Sequence, residues 1–158
     1  MRKLIFPIIL ALLISGCISP EKPETTTFEV TPTISTTSIS ESDLLLNERA
    51  ISAKNVSLCE KISDVNLRVS CSSDLSLNEK AIAAKDVNIC GEVSDKNLRE
   101  SCIAAIAKEV KNFAMCGPLS IADKCIYDVG VAAKDVNICG EVSDKNLRES
   151  CIAAIAKE

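Results

Sequence analysis

Residues 83–109 and 132–158 of this chain are identical, and each copy holds two cysteines twelve positions apart, Cys90 with Cys102 and Cys139 with Cys151. That spacing constrains the fold more than any other feature. A straight helix separates residues twelve apart by about 18 Å, whereas a disulfide holds its two Cα atoms about 4.4–6.8 Å apart. If each pair is bonded, the chain doubles back between its cysteines. Ser94-Asp95 supplies the place: it follows an apolar run and precedes a helical one, which marks a helix N-cap.

Alignment on cysteines extends the repeat to four units. The first reads Lys54-Asn-Val-Ser-Leu-Cys59, then Ile62-Ser-Asp64, Leu67-Arg68 and Cys71. The second and fourth are the duplicated segments. The third is degenerate: Lys111-Asn-Phe-Ala-Met-Cys116, Leu119, Asp123 and Cys125, with Gly117-Pro118 and no Leu-Arg pair. Repeats of this size read as stacked supersecondary units. Each is expected to be a short helix beginning at Asp86 or its equivalent, a turn at Ser94-Asp95, and a longer helix through Lys108. On the longer helix Leu98, Cys102, Ala105 and Ile106 share one face, with Arg99, Glu100 and Lys108 off it. In the first unit the longer helix is expected from Asp64 to Lys85, with Leu67, Cys71, Leu75 and Ile82 inward. No alternating β pattern occurs in this part of the chain. The expected fold is all-α: a short array of disulfide-stapled helical hairpin repeats over 42–158, with units near 46–76, 77–107, 108–130 and 131–158.

The chain has nine cysteines and no histidine. With Cys17 set aside, eight remain; they allow 105 connectivities, and the repeat favours the local one: Cys59–Cys71, Cys90–Cys102, Cys116–Cys125 and Cys139–Cys151. Structural zinc sites favour closely spaced cysteines or a Cys/His mixture, and thiol redox centres favour C-x-x-C. The sequence has neither, so no metal and no cofactor is expected. Phe113 and Tyr127 are the only aromatic residues in the repeat region. So thin a core gains from staples, each contributing about 3 kcal/mol in the chain-entropy model.

What precedes the repeats is different in kind. Met1-Arg-Lys is basic, 4–14 is apolar, and Ser15-Gly16-Cys17 follows. This reads as a secretory signal over 1–16, with an apolar run too short to span a bilayer. Ile14-Ser15-Gly16-Cys17 looks like a prokaryotic lipobox, which implies cleavage before Cys17 and a lipid on its sulfur. Residues 17–41, rich in Ser, Thr and Pro, are expected to form a disordered tether. Once Arg2 and Lys3 leave with the leader, 16 basic and 22 acidic residues give a formal charge of −6. An acidic chain without a basic stripe is not expected to bind nucleic acid.

Candidate chemistry is sparse. Without histidine the commonest general base is missing. Glu92/Asp95 and Glu141/Asp144 are carboxylate pairs, but acids at the start of a helix also serve as caps. Arg68, Arg99 and Arg148 recur in register, as a shared anion site or, more economically, as a solvated face or partners of nearby acids. Asn55-Val-Ser57 is an N-glycosylation sequon.

The pattern K-D-V-N-I-C-G-E-V-S-D-K-N-L-R-E-S-C is similar to cysteine-stapled helical repeats in exported archaeal proteins. The resemblance implies a fold and no activity. The expected role is that of a membrane-anchored extracytoplasmic lipoprotein, a non-catalytic binding or scaffolding module for a protein or surface partner. The alternatives are an envelope spacer or an accessory subunit of an envelope enzyme or transporter. Where 83–109 continues into Val110-Lys-Asn-Phe113, its copy reaches Glu158. Ile152 and Ile155 are therefore expected to be less buried than Ile103 and Ile106, which points to a homodimer through the C-terminal end.

Overall fold

The Lys-Asp or Lys-Asn pair that precedes each short helix is a corner. In the computed structural model, which describes residues 38–157, Lys54, Lys85, Lys111 and Lys134 have φ of 50–55°. That left-handed conformation, usually left to glycine, ends a helix and frees the chain to turn. The N–H of the next residue reaches back to a small residue inside the helix just ended: Asn55 to Ala50, Asp86 to Ala81, Asn112 to Ala107 and Asp135 to Gly130, at 2.9–3.1 Å. The same Asn or Asp then caps the short helix that follows, accepting from the N–H of Ser57, Asn88, Ala114 and Asn137 in turn. One dipeptide thus stops one helix and starts the next.

The elements run α1 (Glu41–Ala53), α2 (Val56–Cys59), α3 (Val65–Ala84), α4 (Val87–Gly91), α5 (Lys96–Glu109), a 3₁₀ helix (Phe113–Cys116), α6 (Ala122–Ala133), α7 (Val136–Gly140) and α8 (Lys145–Ala156). Among the described residues there is no strand. Each short helix leads through a turn into a long one. Asp64, Asp95 and Asp144 cap α3, α5 and α8 by accepting from Leu67, Leu98 and Leu147 N–H at 2.7–2.8 Å. The long helices also cross the expected unit boundaries: α3 passes through 76/77, α5 through 107/108 and α6 through 130/131. Each closes one unit and opens the next, so neighbouring units share a backbone as well as a packing surface.

The four disulfides are the expected local ones, Cys59–Cys71, Cys90–Cys102, Cys116–Cys125 and Cys139–Cys151, with Cα atoms 5.6–5.8 Å apart. All eight cysteines are buried. Ala50, Ala81 and Ala107 pack beside the disulfides of their units in three apolar clusters. At the matching place in the fourth unit, a Cβ on Gly130 would lie 3.2 Å from both Cys139 and Cys151 Sγ, so the glycine admits the closest approach of helix to staple.

The third unit departs where its sequence does. Its short helix is 3₁₀, and Ile121 stands at the cap of α6 without a side-chain hydrogen bond. Leu75 is buried as expected, while Leu67 and Ile82 are partly buried. Glu100, off the face shared by Leu98, Cys102 and Ile106, is nonetheless buried, for a reason that lies in the next unit.

Candidate functional site

The recurring charged residues hold the array together. On each of four long helices one carboxylate points at the turn that starts the next long helix. Asp43 accepts from the N–H of Ser63 at 2.8 Å and of Asp64 at 3.2 Å. Asp74 accepts from Ser94 and Asp95, and Asp123 from Ser143 and Asp144, all at 2.8 Å. Glu100 accepts from the N–H of Ser120 at 2.9 Å and from its hydroxyl. Each acid stands 20 residues before its serine. The offset holds even across the third unit, where the cysteine spacing shrinks to 9. These carboxylates satisfy backbone donors that a helix start leaves without intrahelical partners.

This series of acids was not apparent in the repeat pattern, because cysteine alignment assigns Asp123 to the third unit's turn. The structure instead makes Asp123 the clamp on the fourth. The constant spacing of 20 between acid and serine is the signal that could have revealed it.

Asp43, Glu100 and Asp123 titrate accordingly. The Ser63 N–H is the main influence holding Asp43 below its ordinary value of 3.8, against desolvation. The Ser120 hydroxyl lowers Glu100 from 4.5, and the Ser143 and Asp144 N–H groups lower Asp123 from 3.8. The unfolded chain therefore binds more protons than the native one in the acid range, and stability there rises with pH. The contribution is complete above the ordinary values and is lost as pH falls through the lowered native ones. Under non-reducing conditions the melting temperature should be level above about pH 5–6 and decline below about pH 4.5. Calorimetry across that range checks this; a midpoint unchanged down to pH 2 would contradict it.

The three arginines form no shared site. Arg68, Arg99 and Arg148 each donate from Nη1 to the carbonyl of Ile62, Val93 or Val142 in their own turn, at 2.5–2.8 Å. Glu92 and Glu141 stand exposed at the C-caps of α4 and α7, and their candidate partners Asp95 and Asp144 are helix caps. Among the described residues no group of His, Cys, Asp and Glu is arranged to hold a metal ion. Asn55 is exposed, and its Oδ1 accepts from the N–H of Ser57. Cys17, the leader 1–16 and the tether as far as residue 37 lie outside the described residues. No described helix is long and apolar enough to cross a membrane.

What faces outward is apolar as well as charged. The first residue of every short helix, Val56, Val87, Phe113 and Val136, is 37–48% exposed. A groove of about 360 Å³ lies between α1 and α5, lined by Ile51, Lys54, Asn97 and Leu98 among others.

No protein-family model matches the chain, and no curated protein or solved structure shows detectable similarity to it. The resemblance to exported archaeal repeats draws no support from these comparisons.

Proposed function

We propose that this protein is a lipid-anchored extracytoplasmic lipoprotein whose stapled helical array serves as a non-catalytic binding or scaffolding module. Cys17 carries the lipid, the stretch between it and the Ser40 cap of α1 serves as the tether, and the helical array is the presented body. One observation carries the reading. The recurring Asp, Glu and Arg side chains are engaged in holding turns, while an outward apolar residue recurs once per unit at Val56, Val87, Phe113 and Val136. Single exposed apolar residues are ordinary; one at the same place in every unit gives a repeating contact. Four buried disulfides also suit an exported protein, since such bonds persist in oxidising compartments.

Two measurements test this. Cys17→Ser should move the protein from the membrane fraction to the soluble one, and a variant that stays in the membrane would refute the lipid anchor. Replacing the four apolar residues together with serine should leave the disulfides and helicity intact. It should also abolish discrete cross-linked complexes in membrane extracts. Complexes that persist unchanged, or none formed by the native protein, would favour the spacer.

A further inference from the structure

Four junctions between long helices share one device, and the chain carries both halves of a fifth. The device has an acid on one helix and an apolar-serine turn opening the next: Ile62-Ser63, Val93-Ser94, Leu119-Ser120 and Val142-Ser143. In each turn the apolar residue is buried and the serine N–H reaches the acid.

The fifth turn is Ile39-Ser40, at the start of α1. Ser40 stands three residues before Asp43, as Ser120 stands three before Asp123. Its hydroxyl oxygen accepts from the Asp43 N–H at 3.1 Å, and among the described residues no carboxylate accepts from its own N–H. Ile39, unlike its four counterparts, is 45% exposed, and Leu44 and Leu45 beside it are exposed too. The fifth acid is Glu149 on α8. It is the counterpart of Glu100 in the identical segment, yet its side chain is 66% exposed and its ion-pair partner is Lys145 at 3.9 Å. Ile152 is exposed on the same helix, as Ile155 is less buried than Ile106.

We infer that two copies of this chain dock head to tail, the α8 face around Glu149 and Ile152 of one copy receiving the Ile39-Ser40 turn of the next. The fit follows from the molecule itself. α5 and α8 have the same sequence, and α5 shows what covers that surface: a Leu-Ser turn followed by a helix with its acid three residues on. The start of α1 presents the same arrangement. Glu149 gains the Ser40 N–H, and Ile39 and Ile152 leave water together. Because the two surfaces differ, the contact is heterologous and can propagate beyond two copies. This deepens the scaffolding reading and rests on it for its setting, but needs no particular anchor.

The test uses the full chain in density-matched detergent micelles, followed by sedimentation equilibrium. One variant closes the α8 face, Glu149→Lys with Ile152→Lys. The other closes the α1 turn, Ile39→Asp with Ser40→Asp, which keeps a side-chain cap on α1. All four sites are exposed, and intact disulfides and unchanged circular dichroism verify folding. The native chain should gain mass with concentration. Each variant alone should remain monomeric, and an equimolar mixture should form a heterodimer and stop there. A native chain that stays monomeric at millimolar concentration would overturn the inference. So would an α1-turn variant that still dimerises, which would mean a symmetric α8–α8 contact, or a mixture that fails to pair. None of these results depends on where Cys17→Ser places the protein, so failure here is distinct from failure of the anchor.

Discussion

Reduction of the four disulfides is expected to unfold the array at ambient temperature. Each bond closes a loop of 9 or 12 residues, worth about 3 kcal/mol in the chain-entropy model. Domains of this size are stable by only about 5–15 kcal/mol, so the staples together rival the whole. The core cannot make up the loss, because it consists of small aliphatic side chains in three clusters that include cysteines themselves. Circular dichroism with and without thiol reductant measures the effect. Most helical signal should disappear on reduction and return on reoxidation. A single staple removed as Cys90→Ala with Cys102→Ala should lower the melting temperature by on the order of 10–15 °C. A reduced protein that keeps its helicity and its cooperative melting would show that packing alone suffices.

The second large effect is a contrast between two residues in identical sequence. Glu100→Gln should lower the melting temperature by on the order of 5 °C in dilute solution. The amide is a weaker acceptor for the Ser120 N–H and hydroxyl than the charged carboxylate it replaces. Glu149→Gln, made in the same surroundings of sequence, should shift the midpoint by no more than about 2 °C, as exposed substitutions do. Parallel calorimetry of the two variants decides the point. Equal shifts would mean that the inter-unit hydrogen bonds add nothing beyond the properties of the helix itself.

The residues that act within a dozen positions of one another were legible in the sequence. Asp95 next to an apolar run marks a cap, and the duplicated cysteine pair marks a staple. Asp86 marks the start of α4, and Gly117-Pro118 marks the irregular unit. These are local matters of backbone donors, spacing and loop closure, decided by the chain's own chemistry. The arginines were less legible: their register was plain, but a guanidinium can turn to a carboxylate, to water or to a carbonyl. The turn places Ile62, Val93 and Val142 carbonyls nearest.

By itself the sequence determined the short-then-long helix order of the repeats, the caps at Asp95 and its equivalents, and the pairing of cysteines, because each rests on neighbours in the chain. The tertiary structure alone decided which acids clamp which turns, since those partners meet only when units stack. Glu100 and Glu149 mark the boundary between the two. They stand in the same run of 27 residues, so no reading of that run can separate them. One is buried against Ser120 and the other is exposed, because burial is a property of what packs against a residue.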